Sequence, residues 1–150
     1  MTKYKPHTPY VGVGIIGLNK KNEILVIRRA HKLAGGYHTW AIPGGGVNYG
    51  EHFLDSAKRE FKEETGLCLI EPKIFCITND NAGQFHWITI TVIGRVKDEK
   101  VILQEDEVDA YKWVKPTNIP KPWYKIFNTL VSTPEWQQFR KKPRANSLTL

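Results

Sequence analysis

The chain has 150 residues, of which 41% are hydrophobic and 25% charged, and carries a formal net charge of +7. These are globular proportions with enough length for one hydrophobic core, so a single domain spanning 1–150 is expected. No apolar run approaches the ~20 residues of a membrane-spanning helix. Met1 to Pro9 lacks the apolar core of a signal segment, so a cytoplasmic protein with no membrane partner is expected. The positive charge suits an anionic ligand.

Tyr10 to Leu18 is rich in valine and isoleucine, Asn19 to Asn22 turns, and Glu23 to Arg29 reads as a second strand. The pattern predicts a hairpin. Strand alternation puts Arg28 and Arg29 on opposite faces, where one could meet an anion. Leu33 to Gly46 then forms a glycine-rich loop and a short apolar strand, the kind of segment that carries recognition. Tyr37 and His38 are free there to reach a ligand, and Gly44, Gly45 and Gly46 permit close approach of backbone.

From His52 to Thr65 there is no glycine or proline, and Phe53, Leu54, Ala57 and Phe61 recur at helical spacing. One amphipathic helix is predicted, closed by Gly66 in a left-handed cap. Glu60, Glu63 and Glu64 fall on one stripe of it, beside the apolar stripe and away from Lys58 and Lys62. Like charges at that spacing repel, so a hard divalent cation is the expected counter-charge. Mg²⁺ is typically held by one or two carboxylates together with waters and substrate phosphates. The stripe therefore points to a phosphate ester or anhydride as ligand.

Gly45, Glu51, Arg59-Glu60-Phe61, Glu63-Glu64 and Gly66-Leu67, at their spacings, resemble the Nudix (MutT-like) box without a departure. The resemblance implies an α/β/α sandwich with a mixed β-sheet. It also implies Mg²⁺, or Mn²⁺ as substitute, on Glu60, Glu63 and Glu64, with Gly44 counted among the metal-site positions and Glu51 and Arg59 in support. In triphosphate-hydrolysing relatives a basic residue near the second strand contacts the polyphosphate, which points to Arg28. Relatives also show a Trp, two residues and Pro-Gly-Gly, matched by Trp40, Pro43, Gly44 and Gly45. Trp40 is accordingly assigned to the core.

Lys73 to Thr78 and Phe85 to Val96 read as strands across the turn-rich Asn79 to Gly83. Phe85 and Trp87 are candidates to stack on a base. Glu105, Asp106, Glu107 and Asp109 precede the run Tyr111 to Val114, where Nudix enzymes often keep an acid that joins the metal or acts as base; Glu107 is the choice here. Trp123 to Ser132 has helical spacing. Arg140, Lys141, Lys142 and Arg144 belong to a basic tail from about residue 140, expected to be solvated and poorly ordered. Cys68 and Cys76 lack metal or redox spacing and read as buried free thiols.

The resemblance as a whole implies hydrolysis of a nucleoside triphosphate to monophosphate and pyrophosphate, noncanonical nucleotides included. The alternatives are another nucleoside diphosphate-linked substrate (nucleotide sugar, dinucleoside polyphosphate or capped RNA) and a non-catalytic nucleotide-binding regulator. The intact charged positions of the box favour turnover. A homodimer is expected from the many aromatics on Phe85 to Trp87 and Trp123 to Phe127, and nucleic acid is not an expected partner.

Overall fold

The structure is a computed structural model describing residues 5, 7–30 and 36–145. The start of the glycine-rich loop, Leu33 to Gly35, and the end of the basic tail, residues 146–150, lie outside the described residues. The elements are β1 (Pro9–Leu18), β2 (Ile24–Arg29), β3 (Trp40–Ala41), β4 (Gly44–Gly46), α1 (Phe53–Thr65), β5 (Ile70–Ala82), β6 (Phe85–Arg95), β7 (Val108–Val114), α2 (Lys125–Val131) and α3 (Pro134–Phe139).

β1 runs parallel to β6 over ten residue pairs, from Pro9 with His86 to Leu18 with Arg95. All other pairings are antiparallel, so the sheet is mixed. Its order is β3-β2-β1-β6-β5, with β4 on β1 and β7 on β2. The β5–β6 hairpin forms, but Asn79 to Ala82, expected in the connection, continue the β5 ladder against Phe85 to Ile88 and leave only Gly83 and Gln84 to turn. The β1–β2 hairpin forms too, but only at its turn, where Leu18 pairs with Ile24 and the Asn19 amide donates to the Glu23 carbonyl before the strands diverge. The flank of β1 facing β2 is taken at Gly12 to Gly14 by β4, while β2 finds its ladders with β3 and β7.

The two sheet faces have separate cores, which makes the α/β/α sandwich. Val13, Ile15 and Leu25 meet Ala57 and Phe61 of α1, and Gly17 leaves so little room that a Cβ there would stand 2.7 Å from the Phe61 ring. On the other face Ile16, Leu18, Ile24 and Val26 meet Phe127, Trp136 and Phe139. Phe75 packs edge-on against Trp136 and Phe139 at 6.5 and 5.4 Å. Trp40 is 7% exposed, as a core residue should be.

α3 was not expected, since no element is predicted between Ser132 and the basic tail. Thr133 caps it through its side chain and Pro134 opens it, a local signature of a helix start. Phe127 meets both Trp123 and Trp136 edge-on, so the rings of Trp123 and Phe127 have intramolecular partners, which removes half of the aromatic case for a dimer. Both cysteines are free, but Cys68 is exposed rather than buried, because it leaves α1 just beyond its cap. Burial pushes the Cys76 thiol up to about 11. Among the described residues no helix is long and apolar enough to cross a membrane.

Candidate active site

α1 is set against β4 by its own side chains. The His52 ring accepts from the Leu54 amide at 3.2 Å to start the helix, and Gly66, at φ 75°, returns its amide to the Lys62 carbonyl to end it. Between those ends the Ser56 hydroxyl and Arg59 Nη2 donate to the Gly46 carbonyl at 3.3 and 3.1 Å. The Gly44 amide donates to Glu64 Oε2 at 3.4 Å. Gly45 has no side chain because Glu60 occupies that space: a Cβ would lie 2.2 Å from the Glu60 carboxyl carbon.

Arg59 organises the charges. It takes both oxygens of Glu51 at 2.8 and 2.9 Å, Glu60 at 2.9 Å and Glu63 at 3.3 Å. Its guanidinium, with the Asn48 amide, lowers the Glu51 carboxyl to about 2. Burial raises Glu60 despite the neighbouring Arg59. Burial, and then the charge of Glu60, push Glu64 up to about 8. Glu107 is near enough for its charge to raise both. The result is two carboxylates forced together at the floor of a loop, each destabilised as an anion.

A model of the NUDIX domain matches residues 8–131, most of the chain. The chain belongs to the Nudix family. It is a MutT-like Nudix hydrolase. It is 28% identical to an RNA pyrophosphohydrolase of Bartonella bacilliformis, covering 73% of this chain and 79% of that protein. A MutT protein of Methanosarcina mazei is 30% identical, with 77% of this chain and 82% of that one covered and a TM-score of 0.66. A MutT Nudix hydrolase of Burkholderia pseudomallei shares the fold, with a TM-score of 0.73 at 24% identity over 81% of this chain and 95% of that one.

Nudix hydrolases use divalent metals. Among the described residues no three His, Cys, Asp or Glu side chains converge as a ready ligand set, and Glu63, with its side chain 50% exposed, lies out along Arg59. The donor chemistry nonetheless fits a hard cation, since Mg²⁺ needs only one or two carboxylates and completes its shell with water and phosphate. Glu60 and Glu64 are such a pair, and their mutual repulsion is what a cation would relieve.

The predicted residues thus separate into groups. Glu51, Arg59, Glu60, Glu64, Gly44 and Gly45 come together, with Glu107 close by and Glu63 on the flank. Arg28, Tyr37 and His38 form a different cluster around Asp109: Arg28 Nε lies 2.7 Å and His38 Nε2 3.4 Å from its carboxylate, and the Tyr37 and His38 rings stack at 3.8 Å. Trp87 lies over Gly12 beside Tyr10. By strand alternation that is the sheet face opposite α1, as it is for Phe85.

The residue that sequence reasoning passed over is Arg29. Its charge lowers Glu64, and its guanidinium lies 3.9 Å over the Tyr124 ring. The adjacent pair of arginines was legible, but the choice between them was not. Arg28 pairs with Ala110 and Arg29 with Val108, so the extra residue of this irregularity is Asp109 of β7, which engages Arg28.

Proposed function

We propose that this Nudix hydrolase performs metal-dependent hydrolysis of a nucleoside 5′-triphosphate, releasing the monophosphate and pyrophosphate. The observation that carries this reading is the pair of half-buried Glu60 and buried Glu64, held over a glycine strand and clamped through Arg59 to Glu51. Glu60 and Glu64 would hold Mg²⁺, or Mn²⁺ in its place, with Glu63 completing the set through water. The cation supplies charge neutralisation at the anhydride oxygens and acidifies a bound water. Arg59 would fix Glu60, Gly45 lets the Glu60 carboxylate lie against the backbone beside Gly44, and Glu107 would accept the water's proton. We assign the phosphate-contacting cation to Arg29 rather than to Arg28, which is engaged with Asp109.

A second reading, the same triphosphate carried at the 5′ end of RNA, is favoured by the relatives named RNA pyrophosphohydrolase. Assays of free nucleoside triphosphates, 5′-triphosphorylated RNA and nucleotide sugars, with separate detection of pyrophosphate and phosphate, test both. Pyrophosphate release that stops in EDTA and returns with Mg²⁺ is expected. Turnover of a nucleotide sugar alone, or full activity in excess EDTA, would overturn the reading.

A further inference from the structure

The net charge of this protein is confined to one part of it. Residues 110–150 hold eight Lys or Arg and a single acid, Glu135, whereas residues 1–109 hold fourteen of each sign. A chain that is neutral through its catalytic box and strongly basic beyond it has a reason for the second part other than solubility. Among the described residues no carboxylate lies within ion-pair distance of Lys115, Lys121, Lys125 or Arg140. All four are exposed.

An aromatic ring stands among these cations. The Trp123 indole donates to the Ile119 carbonyl at 3.3 Å and meets Phe127 edge-on at 5.7 Å, so its plane is fixed. Lys121 Nζ lies 5.0 Å from its centroid. Two openings share the ring, one of about 560 Å³ bounded by Lys121 and Asn128 and one of about 280 Å³ that reaches Arg140.

A chain of contacts runs from the patch to Arg29, the cation assigned above to the phosphates. The Trp40 amide donates to the Pro122 carbonyl and the Tyr124 amide to the Trp40 carbonyl, both at 2.8 Å. Tyr124 carries Arg29 on its ring face, and the charge of Arg29 reaches Glu64.

We propose that the Lys121, Trp123 and Arg140 surface binds the single-stranded RNA chain of a 5′-triphosphorylated substrate whose phosphates enter the Glu60–Glu64 site. Proteins that hold single strands pair a cationic track for the backbone with a rigid ring on which a base stacks. A free nucleotide has one base and no chain to follow such a track. This proposal rests on the triphosphate reading of the site and extends the substrate from a monomer to a polymer.

Binding is measured by fluorescence anisotropy with a short single-stranded RNA bearing a 5′-hydroxyl, which engages the patch without the catalytic chemistry. Lys121→Glu and Arg140→Glu are each expected to weaken it about tenfold and to flatten the log Kd against log salt plot by about 0.7 per lost phosphate contact. Both variants should hydrolyse free triphosphate at the wild-type rate, because neither residue belongs to the glutamate site. Trp123→Ala, with its fold checked by circular dichroism, should lose at least fivefold. Equal binding by both charge variants overturns the proposal, as does no binding at low salt, an RNA duplex bound as tightly as the single strand, or a preference for anionic lipid vesicles. RNA binding without hydrolysis of any triphosphate would leave this surface standing and remove the reading of the site.

Discussion

Arg59 holds both carboxylate oxygens of Glu51, one through Nε at 2.8 Å and the other through Nη2 at 2.9 Å, while its Nη1 reaches Glu60 at 2.9 Å. One planar guanidinium thus ties the loop before α1 to Glu60 within that helix, one of the two carboxylates proposed to hold the cation. A lysine keeps the charge but cannot span these partners. Arg59→Lys is expected to lower kcat/KM and Mg²⁺ affinity by on the order of 10- to 100-fold, the usual effect of removing a group that orients a metal ligand. Wild-type Mg²⁺ dependence in the variant would show that the clamp does not position Glu60.

The same clamp has a pH signature. Glu51 has a folded-state value of about 2, below its ordinary 4.5, so its stabilising contribution is fully present above about 4.5. It is lost as pH falls through the folded value. Between pH 5 and 2 the wild type should therefore lose thermal stability more steeply than Glu51→Gln. Parallel melting curves across that range would contradict the assignment.

Glu64 runs the other way. Burial and Glu60 raise it to about 8, so in the metal-free protein its contribution is fully present below about 4.5 and is lost as pH rises through 8. The melting temperature of the metal-free wild type should fall over that interval, and Glu64→Gln should flatten the fall. Because a cation needs the carboxylate ionised, Mg²⁺ binding near pH 7 should release protons, measurable by calorimetry in buffers of different ionisation enthalpy. Hydrolysis should be abolished in Glu64→Gln.

The box was legible because its chemistry is local: one helix brings Glu60 and Glu64 to the same side, and helical spacing alone predicts that. Glu63 was read into the same patch, yet Arg59 lies on its side of the helix and draws it outward. Phe85 to Val96 was legible as a strand by composition, but its ten-residue parallel pairing with β1 is a long-range choice with no local signal. α3 was missed although Thr133 and Pro134 announce it, since six residues are too few for a helical period to show. Arg29 could not be preferred to Arg28 without knowing that Asp109, a long way off in sequence, engages Arg28.

The homodimer now rests on fewer rings, those of Phe85 and Trp87, together with Ile77, which is 62% exposed on the edge strand β5. Light scattering at micromolar concentration is expected to give about twice the 17.3 kDa of one chain. A mass near 17.3 kDa would refute the dimer.

Gly44 and Gly45 are neighbours in one strand, yet adding a methyl group to each should do different things. At Gly44 a Cβ would lie 2.4 Å from the Val13 carbonyl oxygen and 3.2 Å from the Gly14 Cα, both backbone atoms locked in the β1–β4 ladder. Neither can yield without breaking the pairing that seats α1, so Gly44→Ala should cost about 1–3 kcal/mol or more of stability. At Gly45 the Cβ would meet the Glu60 carboxyl group, at 2.2 Å from its carbon and 2.4 Å from both oxygens. That group is the end of a flexible side chain, which can swing away. Gly45→Ala should therefore melt close to the wild type and yet bind Mg²⁺ about 10- to 100-fold more weakly, because Glu60 no longer stands beside Glu64. Thermal melts and Mg²⁺ titrations on both variants decide the point: a Gly45→Ala protein with intact Mg²⁺ affinity would mean that the carboxylate over Gly45 is not a metal ligand.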